Sequence, residues 1–126
     1  MIDGIGIDVI EIARIAAAYR RHGARMASRI LSEREQAIFE ERRHDITYLA
    51  GRFAAKEATV KALGSFAIQR PPWNEMEVLP DERGVPQLLP SLRLQRTLGL
   101  RRAHVSISHT HDNAAAVVVI EAEKPR

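Results

Sequence analysis

The stretch that most constrains the fold covers residues 52–64, with the sequence RFAAKEATVKALG. It predicts the last turns of a helix that begins near Ile46, with Asp45 as its N-cap and Gly64 as the C′ residue that stops it. At about 100° per residue, one side of this helix gathers apolar side chains that we expect to face the core. These side chains are Ile46, Leu49, Phe53, Val60 and Leu63.

Three charged residues accompany that apolar side. Lys56 falls inside the apolar arc, Glu57 lies at its edge, and Lys61 follows Glu57 four residues later. Because a carboxylate in an apolar setting is unfavourable unless something compensates it, two interpretations stand. In one, Glu57 pairs with Lys61 at the margin of the core, which contributes a few tenths of a kcal/mol. In the other, Glu57 points into a site and binds a hard cation.

The use of lysine favours the cation site. The chain has 16 arginines but three lysines, and two of those lysines are Lys56 and Lys61. A lysine ammonium is a compact point charge suited to a phosphate or to proton transfer, and arginine does not replace it freely in that role. The helix therefore combines a structural pattern with groups that could bind phosphate.

The length of 126 residues allows one modest domain, which we take as residues 1–126. Such a domain has little interior for a complete active site, so a site shared between subunits is worth considering. The absence of cysteine excludes disulfides, thiolate metal sites and a cysteine nucleophile. Because the N-terminus lacks a signal-peptide pattern and no apolar run approaches about 18 residues, we expect no membrane span and a cytoplasmic location.

Positive charge is concentrated near the N-terminus, although the net charge of +3 is mild. Residues 11–29 contain five arginines and one acidic residue, Glu11. This excess favours an anionic partner, and the alternative is a solvated helix face. The five are Arg14, Arg20, Arg21, Arg25 and Arg29.

Residues 2–9 predict a short buried strand. Ile5, Ile7 and Val9 alternate on one face, and Gly4, Gly6 and Asp8 on the other. Two glycines on one face indicate that something approaches the strand backbone closely. Asp8, near the end of the strand, is either the N-cap of the next helix or a ligand-binding residue.

The remaining pattern predicts an α+β protein, with helices in the first half and antiparallel strands in the second. The N-terminal strand is expected to join that sheet. Residues 117–120 show no alternation, so both faces of the last strand should be covered. The predicted elements are helices at 11–22 and from 32 (opened by a capping box at Ser32 and Glu35), a loop at 65–74 that could act as a lid, strands at 75–79 and 85–89, a helix ending at Leu98, and strands at 100–108 and 114–120.

Three separate pieces would have to meet to form a site: Asp8, the helix pair Glu57 and Lys61, and residues 106–109 ahead of a turn. Two carboxylates from different elements make a sparse oxygen site of the kind that suits Mg²⁺, which keeps several waters and is often completed by substrate phosphates. Zinc does not fit, since the histidines lack ligand spacing.

This combination resembles the 4′-phosphopantetheinyl transferase family, specifically the short holo-acyl-carrier-protein synthase type. The Gly-x-Asp and Lys-Glu-Ala-x-x-Lys-Ala motifs are specific when they occur together, and the chain length agrees with that subgroup. The matching segments run in order along nearly the whole chain: residues 4–14, 52–58, 61–64, 77–78 with Asp81, 84–86, 105–109 and 114–121.

The resemblance implies an Mg²⁺-dependent transfer of the phosphopantetheine arm of coenzyme A to a serine of an apo acyl carrier protein, in support of fatty acid biosynthesis. Adenosine 3′,5′-bisphosphate would be released. Asp8 and Glu57 would hold the cation, and Lys61 would bind phosphate. The base for the serine stays open between Glu57 and a metal-bound water held by Asp8. Nucleotide contacts are expected from Arg52, Lys61, Gly64 and His109.

The resemblance also implies an assembly. The expected fold is an α+β half-unit with helices packed on a small antiparallel sheet, forming a homotrimer whose sites lie between neighbouring subunits. Arg14, Arg21 and Arg25 would meet the acidic helix of the carrier protein. The alternative from another class is a small basic nucleic-acid-binding module, which the scarcity of aromatic residues disfavours.

Overall fold

Residues 1–64 and 70–123 are described by the computed structural model of the chain. The predicted elements are present in the predicted order, and residues 65–69 of the expected lid loop lie outside the described part. The elements are β1 (Ile2–Glu11), α1 (Ile12–Ile30), α2 (Glu33–Glu41), α3 (Ile46–Leu63), a 3₁₀ turn (Trp73–Glu75), β2 (Met76–Pro80), β3 (Pro86–Pro90), α4 (Leu92–Leu98), β4 (Arg102–His109) and β5 (Asn113–Glu121).

The strands form two antiparallel sheets. In the larger one, β5 lies between β1 and β4, so the N-terminal strand does join the C-terminal strands as predicted. The smaller one is the β2–β3 hairpin, which the sequence did not separate from the larger sheet. In the larger sheet Asp8 lies opposite Ala116, and Ala116 lies opposite Ile107 on its other side. The α+β class is confirmed.

The contact between β1 and α3 is a contact between backbones. A Cβ placed on Gly4 would lie 2.1 Å from the carbonyl oxygen of Ala62, and one on Gly6 would lie 2.0 Å from that of Ala58. The predicted close approach to the glycine face is therefore confirmed, and the approaching element is α3. Small residues on both partners allow it, because a side chain at position 4 or 6 would displace the helix.

The buried strand predicted at residues 2–9 is buried on one face only. Ile5, Ile7 and Val9 are 67%, 61% and 63% exposed, because the glycine face is the one that packs on the helix. The same open side of the sheet includes Val117 and Val119, which are half-buried, whereas Val118 and Ile120 are fully buried. Within one chain, the expectation that both faces of the last strand are covered therefore fails.

The core side of α3 also differs from the predicted arc. Of the five apolar residues proposed to face inward, Leu49 and Leu63 are buried, while Ile46, Phe53 and Val60 are half-buried. The most enclosed side is instead made of alanines, because only small side chains fit beneath β1. These are Ala54, Ala55, Ala58 and Ala62.

Helix ends follow the sequence signals with one exception. Ser32 and Glu35 form the predicted capping box, and Asp45 accepts a hydrogen bond from the Thr47 N–H at 3.0 Å. Gly64 follows the last residue of α3, but its φ of −55° and ψ of −24° are right-handed helical values, not the left-handed conformation of a C′ glycine. Gly23 does interrupt α1, with a φ of 52°.

A buried ion pair joins the other side of α3 to its neighbours. The Lys56 ammonium lies 2.5 Å from Glu35 Oε1 and donates to the Ile30 carbonyl at 2.6 Å. Glu35 Oε2 accepts from the Val78 N–H at 2.9 Å. Burial lowers the pKa of Lys56, and the charge of Glu35 opposes that shift. This network connects α1, α2, α3 and β2.

Among the described residues, no helix is long and apolar enough to cross a membrane. The cytoplasmic location remains a prediction.

We predict that Gly6→Ala destabilises the fold by roughly 1–3 kcal/mol or more, because the added methyl overlaps backbone atoms that have no rotamer to change. Gly64→Ala is the matched control. Its backbone is helical and the nearest atom to an added Cβ is 3.2 Å away, so we expect a change within about 1 kcal/mol. Urea unfolding at one protein concentration measures both. Equal free energies of unfolding for Gly6→Ala and Gly64→Ala would show that the contact of Gly6 with α3 is not tight.

Candidate active site

Asp8 lies beneath the ammonium group of Lys61. It is on the glycine face of β1, and its Oδ1 accepts a hydrogen bond from Lys61 Nζ at 3.0 Å. Lys61 also donates to the Ile7 carbonyl at 2.9 Å. The N-cap interpretation of Asp8 is wrong, because Glu11 occupies that position and makes no side-chain cap. The side chain of Asp8 is 17% exposed and that of Lys61 is 55% exposed.

Glu57 has different partners. Its Oε2 accepts a hydrogen bond from the indole N–H of Trp73 at 2.9 Å and pairs with the guanidinium of Arg70. The interpretation in which Glu57 pairs with Lys61 is therefore wrong, since the strand brings Asp8 to that lysine. The Glu57 side chain is 23% exposed, so it lies at the border between core and solvent.

The register of β1 on α3 relates Asp8 to the part of the helix that carries Glu57. Gly4 faces Ala62 and Gly6 faces Ala58, so two strand residues correspond to one turn of helix. Continued by two more strand residues, that spacing predicts that Asp8 lies at the turn before Ala58, which is the turn that ends at Glu57. Lys61, one turn further along α3, reaches back to Asp8.

The donor chemistry of this pair fits a hard cation. Within the described ranges, Asp8 Oδ2 and Glu57 Oε1 accept no hydrogen bond. Those same ranges contain no group of three or more His, Cys, Asp or Glu that could hold a metal by itself. Two carboxylate oxygens are few for an all-protein cage, but they suit Mg²⁺, which retains waters and takes substrate phosphates as further ligands.

His109 lies across the sheet from these residues. It ends β4, on the same face as Val105 and Ile107, which is the face that carries Asp8. The distance from β1 to β4 is two strand spacings, about 10 Å. His109 is exposed, so it is open to a ligand that spans the sheet. Ser106 and Ser108 lie on the opposite face and are not brought to the site.

Arg52 is not brought to this cluster within the chain. It is 9% exposed, its Nε donates to the Val78 carbonyl at 3.3 Å, and its guanidinium lies 4.5 Å from the Tyr48 ring centroid. It therefore belongs to the buried side of α3 that also holds Lys56. Gly64, in contrast, is exposed and directly follows the helix end beside Lys61.

The predicted partner-binding arginines share one groove along α1. Arg14, Arg21 and Arg25 line a cavity of about 740 Å³ whose walls include apolar residues of α1. Phe53 and Trp73 also line it, and Trp73 is the residue that donates to Glu57. We call this cavity the arginine groove. Through Trp73 it adjoins Glu57.

Sequence reasoning missed Arg70 and Trp73 as site residues. Both lie in an irregular, proline-containing segment where no periodicity shows which way a side chain points. The only available signal was that Trp73 is the single tryptophan of the chain.

Comparison with known proteins decides the family. Residues 4–119 match the model of the 4′-phosphopantetheinyl transferase superfamily. The chain belongs to this superfamily. The matched range contains Asp8, Glu57, Lys61 and His109, so the geometry described above lies inside the family's own domain.

Relatives of similar length carry one name. A holo-[acyl-carrier-protein] synthase of Halalkalibacterium halodurans is 46% identical, over 96% of this chain and 97% of its own. A second holo-[acyl-carrier-protein] synthase, of Solidesulfovibrio magneticus, is 47% identical over 96% of this chain and 99% of its own. This chain is therefore a phosphopantetheinyl transferase of the holo-[acyl-carrier-protein] synthase type, as the sequence motifs predicted.

Solved structures of the family show the same fold. A synthase from Neisseria meningitidis superposes with a TM-score of 0.87 at 32% identity, covering 96% of this chain and 99% of that one. A synthase from Bacillus anthracis, solved in complex with CoA (3′,5′-ADP), superposes with a TM-score of 0.80 at 37% identity, covering 98% and 99%. The predicted fold class is confirmed.

Proposed function

We propose that this chain transfers the 4′-phosphopantetheine group of coenzyme A to a serine of an apo acyl carrier protein and releases adenosine 3′,5′-bisphosphate. The observation that carries the proposal is the position of Asp8, Lys61 and Glu57 on one side of α3. The names of the full-length relatives and a related structure that holds CoA support it.

Asp8 and Glu57 are the residues that would hold Mg²⁺. When bound, the cation would offset the charge of the pyrophosphate during transfer. Both side chains are partly exposed, and each leaves one oxygen outside the hydrogen bonds of the described residues. Waters and substrate phosphates can then complete the coordination.

Lys61 is placed to bind phosphate. Two of its three N–H donors are directed to the Ile7 carbonyl and to Asp8, which fixes the ammonium above the strand and leaves one donor for a substrate oxygen. In the transfer, a bond forms between the serine oxygen and phosphorus, and the bond from that phosphorus to the departing bisphosphate breaks. Lys61 would stabilise the negative charge that the leaving group acquires.

The serine proton needs an acceptor in the same place. Glu57 Oε1 is one candidate, since the other oxygen of this carboxylate is already held by Trp73. A water held by Asp8 is the other. Nucleotide contacts are proposed for His109 and Gly64, which are exposed near the site, and Arg52 would need a rearrangement from its buried position to make one.

We also propose a homotrimer with sites between neighbouring subunits. The open face of the larger sheet presents Ile5, Ile7 and Val9, which are more than half exposed, beside Val117 and Val119. A contiguous apolar face of this kind is typical of an interface. Because Asp8 lies on the same strand, a neighbour that covers this face would come close to the site.

The arginine groove is the proposed docking surface for the acidic helix of the carrier protein. Arg14, Arg21 and Arg25 supply positive charge, and the apolar walls supply contact area. Charge pairing of this kind mainly accelerates encounter and sets the register of docking. Trp73 lines the groove and donates to Glu57, so a carrier docked there would have its serine near the proposed cation.

We predict that Glu57→Gln abolishes transfer, with a loss of at least about 100-fold, because a neutral amide is a poor ligand for Mg²⁺. The assay measures the mass gained by an apo carrier protein after incubation with coenzyme A and Mg²⁺. The amide oxygen can still accept from Trp73, so the variant should remain folded by circular dichroism. Glu33→Gln, on the exposed side of α2, is the matched control and should keep full activity.

Wild-type protein that adds no phosphopantetheine to any of several carriers would contradict the proposed function. Full activity of Glu57→Gln would contradict the cation assignment while leaving the reaction itself standing.

We predict that Arg21→Glu raises the KM for the carrier protein about tenfold and leaves the KM for coenzyme A unchanged, because it reverses a charge in the arginine groove. Arg20→Glu is the matched control, since Arg20 is its neighbour in sequence but does not line the groove. The difference in KM for the carrier protein between Arg21→Glu and the wild type should become smaller as the salt concentration is raised, because salt screens exposed charges. Equal effects of both substitutions would show that net charge, not the groove, matters.

A further inference from the structure

Trp73 contacts Glu57, Phe53 and the arginine groove. Its indole N–H donates to Glu57 Oε2 at 2.9 Å, its ring meets Phe53 edge-to-face with centroids 5.3 Å apart, and it lines the arginine groove. Phe53 precedes Glu57 by four residues, so both project from the same side of α3. The ring is thus held by the helix whose carboxylate it binds.

Glu57 needs such a partner more than Asp8 does. A glutamate side chain has three rotatable bonds, and Glu57 lies at the exposed border of the core. Asp8 is shorter and comes from a strand that is fixed by its contact with α3. The indole N–H is a neutral donor, so it fixes the Glu57 carboxylate without neutralising its charge.

Arg70 binds the same oxygen in a different way. Its guanidinium pairs with Glu57 Oε2 and lies 5.4 Å from the Trp73 ring centroid. A cation competes with Mg²⁺ for a carboxylate by charge, whereas a neutral donor does not. Trp73 should therefore raise the affinity of Glu57 for a cation, and Arg70 should lower it.

We propose that Trp73 is a positioning residue that orients the Glu57 carboxylate for cation binding, and that Arg70 is a competing counter-ion on the same carboxylate. This inference rests on the proposed function, because it takes Glu57 as a cation ligand. Partners that orient a ligating group commonly change metal affinity by about 10–100-fold when they are removed.

The test measures Mn²⁺ binding to the full chain, with coenzyme A saturating, by the loss of the free-ion signal in electron paramagnetic resonance. Trp73→Phe keeps a ring against Phe53 but removes the N–H, and we expect its Mn²⁺ affinity to fall about tenfold. Arg70→Gln removes the charge, and we expect its Mn²⁺ affinity to rise. Thermal unfolding of both variants should match the wild type.

Opposite changes in Mn²⁺ affinity in the two variants would distinguish a positioning role of Trp73 from simple packing. If both substitutions weaken Mn²⁺ binding alike, or if Trp73→Phe leaves it unchanged, the positioning role is overturned. Trp73 is the single tryptophan, so its fluorescence gives a second readout. Mg²⁺ added to wild-type protein with coenzyme A should change the emission of Trp73, and an unchanged emission would also overturn the inference.

Different results would overturn the role of Trp73 and the proposed function. Wild-type protein that binds Mn²⁺ with coenzyme A and transfers the arm, while Trp73→Phe binds Mn²⁺ equally well, overturns the role of Trp73 alone. Wild-type protein that neither binds coenzyme A nor modifies a carrier overturns the proposed function and this inference with it.

Discussion

The contact of β1 with α3 is the constraint on which the rest of the structure depends. Gly4 and Gly6 let the strand backbone touch the backbone of the helix at Ala62 and Ala58. No side chain separates the two elements, so the distance between them is set by hard-sphere contact rather than by flexible packing. The next residue on that face, Asp8, is thereby brought to the Lys61 ammonium. A structural contact and a site are built from the same strand face.

The two lysines of α3 have different roles because the two sides of the helix have different surroundings. Lys56 is fully buried with Glu35 and the Ile30 carbonyl, where it joins α1 and α2 to the helix. Breaking such a buried pair by removing one partner is strongly destabilising. Lys61 is more than half exposed and is paired with Asp8. Lys56 therefore belongs to the core, whereas Lys61 is the lysine that we propose binds phosphate.

The sequence predicted the elements, their order, the capping box and the pairing of the N-terminal strand with the C-terminal strands. Its motifs also predicted the family. It did not predict that Ile5, Ile7 and Val9 are exposed, because isoleucine and valine normally face a core, whereas here the glycine face of β1 is the one that packs on α3. It missed Trp73 and Arg70, because orientation in an irregular segment depends on the folded helix beside it. The partner of Lys61 likewise depended on a strand more than fifty residues away in sequence.

We propose that the packing of β1 on α3 brings Asp8 and Glu57 close enough to bind one divalent cation against the pyrophosphate of coenzyme A. A crystal structure with coenzyme A and Mn²⁺, read by anomalous scattering, tests it most directly. We predict one ion bound by an oxygen of Asp8, an oxygen of Glu57 and the phosphates of coenzyme A. An ion bound to the phosphates without either carboxylate, or two carboxylates too far apart to share it in the assembled protein, would contradict it.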